Sequence, residues 1–248
     1  MKAIIPAAGY ATRMWPLTKD RPKGLLEVSG KPMIEHVVGK ILEIKEVDEI
    51  FIVTNQKFYK NFLDWAAGFK CTVPITILND GTSSNEDRLG SIGDIQFVIE
   101  SKKIDSDVII VNSDNLFTFN LSEIAAFAKE KDAPTIALYD LHSLEEAKKM
   151  GNPEVDKNNK IIGFVEKPKN PKSTLCSIGI YLYPKRVVQM FKQYLDEGNS
   201  PDKTGEFVAW LYRQTPVYGF VFGKEKDKWF DIGSLETYEK AKKDFMEE

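Results

Sequence analysis

Cysteine and histidine are scarce in this chain of 248 residues. The two cysteines, Cys71 and Cys176, are too few for a framework of disulfide bonds. The two histidines, His36 and His142, are far apart in the sequence, and neither is close to a cysteine. A structural zinc site needs a cluster of such ligands at short spacing, so the composition argues against one.

Long hydrophobic runs and an excess of basic charge are also missing. No apolar stretch approaches the roughly 20 residues of a membrane-spanning helix, and the apolar start at residues 1–6 is too short for a signal peptide. The net charge is −3 and the pI is about 5.7, so no basic field attracts nucleic acid or anionic lipid. We therefore expect a cytoplasmic protein with no nucleic-acid partner and no membrane partner.

Strand-like and helix-like segments alternate through the first half of the sequence. Apolar, β-branched runs predict strands at residues 2–6, 49–54, 74–78, 107–112 and 133–139. Helical spacing of apolar residues predicts helices at 33–45, 57–69, 91–100 and 121–131. This alternation is typical of an α/β fold in which helices cover both faces of a parallel sheet. Ligands of such sheets bind beyond the carboxyl ends of the strands.

The second half, after about residue 140, is less regular. Its pattern predicts a turn-rich segment at 151–160, strands at 176–184, 217–222 and 228–231, and a helix at 185–195. Ser234 is the expected N-cap of a closing helix. Because no repeat, low-complexity tract or flexible linker interrupts the chain, we expect residues 1–248 to form one domain.

The segment after the first predicted strand combines small residues with two cations. It reads AAGYATRM and continues to Lys23. A dinucleotide-binding loop needs G-x-G-x-x-G, but Gly9 stands alone here, and the GKP at residues 30–32 lacks the hydroxyl of a Walker A loop. Two readings remain. In the first interpretation, it is an anion-binding loop whose exposed backbone amides bind phosphates together with Thr12, Arg13 and Lys23. In the second, it is a solvated basic loop whose turns are fixed by proline.

The same segment resembles the opening signature of a known enzyme family. Residues 6–36 read PAAGYATRMWPLTKDRPKGLLEVSGKPMIEH. This stretch is similar to the A-G-G-x-G-T-R-L-x-P-L-T, P-K-P-L-L and G-K-P-M-I motifs of the sugar-1-phosphate nucleotidylyltransferases, which make nucleotide sugars. Ala11 stands in place of a glycine of that pattern, and Gly24 in place of its second proline.

The resemblance implies a Rossmann-like nucleotidyltransferase fold with a mixed, mostly parallel central sheet. Residues 1–140 would bind the nucleotide and residues 141–248 the sugar phosphate. The chain ends soon after the closing helix, so we expect it to lack the C-terminal β-helix domain that bifunctional members append. The resemblance also allows a homo-oligomer, and no feature of the sequence decides between a monomer and an oligomer.

Four residues would carry catalysis according to the resemblance. Arg13 and Lys23 would stabilise the triphosphate and the leaving pyrophosphate, and Asp114 and Asp231 would hold Mg²⁺. The first aspartate lies in VIIVNSDN, at the end of a predicted strand, and the second in WFDIG, which is similar to the W-x-D-x-G segment of the family. Either aspartate alone would also suit a turn or cap. The expected nucleotide-binding residues are Ala7, Ala8, Gly9, Thr12 and Arg13.

A sugar-phosphate site is implied by the E-K-P motif in IIGFVEKPKNP. Glu166 would bind sugar hydroxyls, and Lys167 would reach the sugar-1-phosphate. Gly151, Gly179 and Tyr181 match further positions of the family pattern, although Tyr181 would equally suit the core.

The base site is implied by the segment LNDGTSSNEDRLGSIGD, in which relatives use a glutamine and a glycine. Gly93 is the expected glycine, and Arg88 stands in place of the glutamine. Arg88 could bond the base, pair with a phosphate, or bridge to Glu86 or Asp87.

The expected reaction is nucleotidyl transfer from an NTP, with UTP or dTTP favoured, to a sugar-1-phosphate. Two alternatives stay open. One is a cytidylyltransferase that acts on phosphocholine or on an inositol or other polyol phosphate. The other is a non-catalytic, nucleotide-sensing regulatory subunit, which would have no need of both metal-binding aspartates.

Overall fold

The computed structural model describes residues 1–224 and 226–245, so residues 225 and 246–248 of the predicted domain lie outside it. Its strands are β1 (Lys2–Pro6), β2 (Glu27–Val28), β3 (Lys31–Pro32), β4 (Glu49–Thr54), β5 (Ile75–Asn79), β6 (Val108–Val111), β7 (Asn115–Phe117), β8 (Thr135–Asp140), β9 (Gly151–Val155), β10 (Ile161–Glu166), β11 (Leu175–Tyr183), β12 (Tyr218–Phe222) and β13 (Trp229–Asp231). Its helices are α1 (Met33–Ile41), α2 (Tyr59–Gly68), α3 (Ser91–Lys102), α4 (Leu121–Lys131), α5 (Leu144–Ala147), α6 (Lys185–Val188), α7 (Met190–Asp196), α8 (Thr204–Leu211) and α9 (Leu235–Asp244).

Nine of these strands form one central sheet. Its order is β10-β9-β11-β6-β1-β4-β5. In addition, β8 pairs with β11, and β12 pairs with β8. Strands β6, β1, β4 and β5 run parallel, and every antiparallel pairing between two described strands of this sheet involves β9 or β11. The predicted α/β fold with a mixed, mostly parallel central sheet is confirmed.

Helices cover both faces of this sheet because its central strands are apolar on both sides. In β1, Ala3 and Ile5 belong to one hydrophobic cluster with side chains of α1, α2 and α4. Ile4, between them, belongs to a second cluster with side chains of α3, α7 and α8. Strands buried on both faces are typical of parallel sheets. The carboxyl ends of β1, β4 and β6 therefore meet at one edge, where ligands of such sheets bind.

A third hydrophobic cluster joins the N-terminal loop, which we define as residues 7–26, to the end of the chain. It packs Met14 of this loop with Phe245, directly after α9. The hydroxyl of Tyr238 in α9 donates to the backbone carbonyl of Glu27 at 2.8 Å. Helix α9 begins after the predicted N-cap, Ser234, which forms a capping box. The closing helix thus supports the loop that follows the first strand.

The segment at 151–160 differs from its prediction, because it begins with the strand β9 instead of turns. The side-chain amide of Asn152 donates to the carbonyl oxygens of Ser173 and Leu175 at 3.0 and 2.8 Å. The same side chain accepts from the Lys172 N–H at 3.1 Å. Distant hydrogen bonds hold this strand, and local turn propensity does not reveal them.

Some helical segments also differ from the predictions. The helix predicted at 33–45 ends at Ile41, and the one predicted at 185–195 is divided into α6 and α7. Helix α8 was not predicted, because Gly205 and β-branched residues lower its intrinsic helix propensity and packing decides its state. Among the helices of residues 1–224 and 226–245, none is long and apolar enough to cross a membrane.

Candidate active site

The start of the N-terminal loop is anchored to the end of β4. The Ala7 N–H donates to the Val53 carbonyl at 2.8 Å, and the side-chain amide of Asn55 donates to the Ala8 carbonyl at 2.7 Å. Both alanines are buried, whereas Gly9 is exposed, and a Cβ atom there would meet none of the described atoms within 4 Å. The loop therefore turns bare backbone toward open space, as close approach of a ligand requires.

The loop then turns at Ala11, which has a left-handed conformation with φ 47° and ψ 40°. This conformation is costly for a residue with a side chain, and glycine adopts it freely. The hydroxyl of Thr18 donates to the Ala11 carbonyl at 2.8 Å and so fixes the turn. Thr12 and Arg13 follow with exposed side chains. The glycine of the family pattern thus has a conformational reason, and Ala11 occupies its place under strain.

Lys23 forms an ion pair with Asp114 across the site. The Lys23 Nζ lies 2.5 Å from Asp114 Oδ2, and both side chains are largely buried. Asp114 reaches this position because it follows β6, whose carboxyl end lies beside that of β1. A Cβ placed on Gly24 would lie 3.6 Å from the Ser113 Cβ, which is ordinary contact. Space alone therefore does not require glycine at position 24.

Asp231 comes from the other end of the chain but lies beside Asp114. It is the last residue of β13, which pairs with β7, and β7 begins directly after Asp114. Burial raises the pKa of Asp231 to about 6, and the negative charge of Asp114 adds to this rise. The positive charges of Lys23, Lys167 and Arg13 oppose it. The structure therefore brings the four predicted catalytic residues and Lys167 into one electrostatic environment.

Glu166, at the end of β10, lies between two glycines. Its Oε2 atom would be 3.0 Å from a Cβ placed on Gly151 and would clash with one placed on Gly205. Burial raises the pKa of Glu166, whereas the charges of Lys167 and Lys203 lower it. The two glycines give this carboxylate the room that it occupies next to the site.

Tyr181 and Thr204 form a polar contact near Glu166. Their hydroxyl oxygens lie 2.9 Å apart, and burial raises the pKa of Tyr181 to about 12, so the phenol is neutral. Tyr181 is thus a core residue whose polar end faces the wall of the site. Gly179 has φ 71°, and a Cβ there would lie 2.5 Å from the Asn112 side-chain nitrogen. Glycine is needed here for both conformation and space.

The predicted base residues lie at or near a cavity of about 460 Å³. Arg88 lines it, and its guanidinium Nη2 lies 3.2 Å from Asp202 Oδ1 instead of bridging to the acidic residues just before it. Gly93 lies in the first turn of α3, behind the cavity wall. Gly90, the N-cap residue of that helix, has φ 81° and lines the cavity. The glycine at the cavity wall is therefore Gly90.

Four residues of these walls were not identified from the sequence. Asn55 and Gly90 carried a signal, because one directly follows a buried strand and the other precedes a helix. Thr204 and Gly205 carried none, since they belong to the unpredicted helix α8.

The paired carboxylates of Asp114 and Asp231 are hard oxygen donors suited to a divalent cation. Within the part of the chain that the structure describes, no group of three or more His, Cys, Asp or Glu side chains could hold a metal ion. Two carboxylates are nevertheless enough for Mg²⁺, which usually completes its shell with water and substrate phosphates.

This arrangement of a strand-end loop, cations and paired carboxylates agrees with a comparison of the whole chain. The nucleotidyl transferase family model matches residues 2–248, so the chain belongs to the nucleotidyl transferase family. The predicted family and enzyme class are confirmed.

Two curated relatives and one solved structure are similar to this chain. The bifunctional protein GlmU of Methanocaldococcus jannaschii is 29% identical over 240 residues, which cover 94% of this chain and 51% of the relative. The UTP–glucose-1-phosphate uridylyltransferase AglF of Haloferax volcanii is 26% identical over 251 residues, which cover 100% of this chain and 98% of the relative. The chain thus spans about half the length of GlmU and nearly all of AglF. A UDP-glucose pyrophosphorylase solved with UDP-glucose has the same fold, with a TM-score of 0.81 at 21% identity over 98% of this chain and 97% of that one.

Proposed function

We propose that the protein transfers a nucleotidyl group from an NTP, with UTP or dTTP favoured, to a sugar-1-phosphate. The observation that carries this proposal is the meeting of three cations and two carboxylates at one edge of the sheet. The nearby glutamate of β10 supports a sugar as the acceptor, because ionised carboxylates accept hydrogen bonds from hydroxyls. The name of AglF supports the same reaction.

In the proposed reaction, an oxygen of the sugar-1-phosphate attacks the α-phosphorus of the NTP in line. A P–O bond forms there while the bond from the α-phosphorus to the bridging oxygen of the β-phosphate breaks, and pyrophosphate leaves. The nucleophile is already an anion, so no general base is needed. Catalysis then depends on alignment and on stabilising negative charge. Arg13 and Lys23 would bind the triphosphate and the leaving pyrophosphate, and Lys167 would position the acceptor phosphate.

Asp114 and Asp231 would hold Mg²⁺ in this proposal. Their fit to a cation is supported by the raised pKa of Asp231, which reflects burial and the repulsion from its neighbour. A divalent cation would relieve that repulsion. When bound, the ion would neutralise charge on the substrate phosphates.

The binding surfaces follow the two halves of the chain. The base and ribose would lie on Ala7, Ala8, Gly9 and Thr12 and extend toward the cavity of Arg88 and Gly90, behind which Gly93 lies, within residues 1–140. The sugar phosphate would lie against Gly151, Glu166, Lys167 and Gly179, with the hydroxyl of Tyr181 in the wall behind them, within residues 141–248. A cytoplasmic location and homo-oligomers stay predictions.

Pyrophosphate release tests the proposal. The purified protein is incubated with Mg²⁺ and a matrix of UTP, dTTP, CTP and ATP against several sugar-1-phosphates, phosphocholine and an inositol phosphate. We expect release with a sugar-1-phosphate, its loss in Asp231→Asn, and a wild-type rate in the control Asp105→Asn, whose aspartate is exposed and outside the site. Release with only phosphocholine or a polyol phosphate would instead support the cytidylyltransferase, and nucleotide binding without release would support the regulatory subunit.

A further inference from the structure

Two carboxyl groups away from the catalytic residues each have one buried, unpaired oxygen. Asp80 directly follows β5, and Asp94 lies in the first turn of α3, where it is 6% exposed. Asp80 Oδ2 and Asp94 Oδ1 are both buried, and neither has a hydrogen-bond partner among residues 1–224 and 226–245. The two side chains interact with each other, and this interaction raises the pKa of Asp94. If both carboxylates were ionised, each would have one buried, unpaired oxygen and would repel the other.

We infer that Asp80 and Asp94 share one proton. This proton holds the two ends of the segment 80–94 together and so keeps the segment in place beside the N-terminal loop. An acid O–H on Asp94 Oδ1 would donate to Asp80 Oδ2, and both unpaired oxygens would then be satisfied. Asp80 is the better place for the negative charge, because its Oδ1 accepts from the N–H and from the hydroxyl of Thr82, each at 2.7 Å. The proton therefore resides on Asp94.

The surroundings of the pair favour the protonated state. Burial raises the pKa of Asp94 to about 8, and the negative charge of Asp80 adds to the rise. From the N-terminal loop, Tyr10 faces the same region, and the acidic groups nearest to it besides Asp80 are Asp87 and Glu86. Each of these neighbours is either an acidic side chain or a neutral phenol, and none is a cation. The attraction between the two carboxyl groups therefore comes from the shared proton.

Among the described residues, Asp80 is the one charged group that shifts the pKa of Asp94, and the charges at the start of α8, on Lys203 and Glu206, pair with each other. Strands β1 and β4 contribute the apolar side chains of Ile4 and Val53 to the cluster behind the helix. From α7, Lys192 faces Glu100, at the opposite end of α3. At the near end, Arg88 pairs with Asp202.

The location of the pair connects it to nucleotide binding, and this part of the inference rests on the proposed function. The segment between the two aspartates carries Arg88 and Gly90, which line the 460 Å³ cavity. Its other side is fixed by the Thr82 carbonyl, which accepts from the Gln56 N–H at 2.9 Å. Asp80 and Asp94 are therefore positioning residues, which hold the wall of the base cavity without contacting substrate. Loss of the proton puts two buried negative charges together, loosens the segment and weakens NTP binding.

Thermal unfolding between about pH 6 and pH 9 tests the shared proton. Because the folded protein keeps the Asp94 proton at a pH where the unfolded chain has lost it, the wild-type Tm should fall as the pH rises toward about 8. Asp94→Asn replaces the acid O–H with an amide N–H that cannot ionise. We expect the Tm of this variant to gain at least about 5 °C on wild type between pH 6 and pH 9. The control Asp64→Asn makes the same change at an exposed residue and should follow wild type.

A Tm difference between Asp94→Asn and wild type that is constant across this pH range would overturn the shared proton. If Asp94→Asn does not fold, Asp80→Asn removes the same repulsion and should show the same gain with pH.

Calorimetric binding of UTP with Mg²⁺ tests the link to the nucleotide. We expect the Kd of wild type to rise at least about threefold between pH 7 and pH 9, since a linked proton weakens binding by up to about tenfold per pH unit. The Kd of Asp94→Asn should stay nearly constant. Equal pH profiles in the two proteins would overturn the positioning role even if the Tm data support the proton. Absence of UTP binding at every pH would overturn uridylyl transfer as the proposed function, and the Tm comparison would still decide whether the proton is shared.

Discussion

Replacing Ala11 with glycine should stabilise the protein, because Ala11 has a left-handed backbone conformation. At φ 47° and ψ 40°, a residue with a Cβ atom loses about 1–2 kcal/mol relative to its right-handed conformation. Glycine removes this strain but adds freedom to the unfolded chain, which costs about 0.5–1 kcal/mol. The expected net gain is about 0.5–1 kcal/mol in the free energy of unfolding. For a chain of this size, that gain raises Tm by about 1–4 °C.

The matched control for this prediction is Ala126→Gly. Ala126 is exposed in the middle of α4, so the same change should destabilise the protein by about 0.5–1 kcal/mol. Equilibrium urea unfolding and calorimetry of the two variants and wild type measure the effects. The two substitutions should change the free energy of unfolding in opposite directions. If Ala11→Gly destabilises the protein as Ala126→Gly does, the argument from the Ala11 conformation is wrong.

Three further substitutions test the site through steady-state kinetics. Asp114→Asn should lower the rate of pyrophosphate release by a factor of at least ~100, the scale for losing one preorganised stabilising group, and a rate near wild type would contradict its assignment. Gly205→Ala should raise the KM for the sugar-1-phosphate about tenfold and leave the KM for the NTP unchanged, because the added Cβ displaces the Glu166 carboxylate; equal changes in both constants would refute this reason. Arg88→Ala should raise the KM for the NTP about tenfold. Asp202→Ala removes only an exposed ion-pair partner and should change this KM less than about twofold. Equal effects of the two substitutions would show that Arg88 acts only through the ion pair and does not bind the nucleotide.

The central strands could be predicted because burial on both faces leaves a continuous apolar run in the sequence. The segment EIFIVT of β4 is such a run, and the structure places the strand on the same residues. Strand β9 could not be predicted in this way, because the side chain of Asn152 holds it through partners around residues 172–175. A local sequence pattern therefore identifies a strand only where burial of the strand has produced a run of apolar residues.

The residues of the candidate site likewise include some that could be predicted from local sequence and some that could not. Asp114 and Asp231 could be proposed because each stands at a strand end within a recognisable motif. The ion pair of Lys23 with Asp114 joins residues 91 positions apart, and no local feature indicates it. The room that Gly205 gives to the β10 glutamate depends on how α8 packs, which only the folded chain shows.

The pairing of β7 with β13 bears on the stage of synthesis at which activity can begin. The ribosome delivers the N-terminal loop, β1, β4 and β6 early, and with them Arg13, Lys23 and Asp114. The second carboxylate arrives only with β13, and α9, which supports the loop, arrives after it. A nascent chain shorter than 231 residues therefore lacks the complete carboxylate pair. In the proposed reaction, the growing polypeptide holds Arg13, Lys23 and Asp114 long before Asp231 completes the carboxylate pair, so turnover begins only after residue 231 has been made.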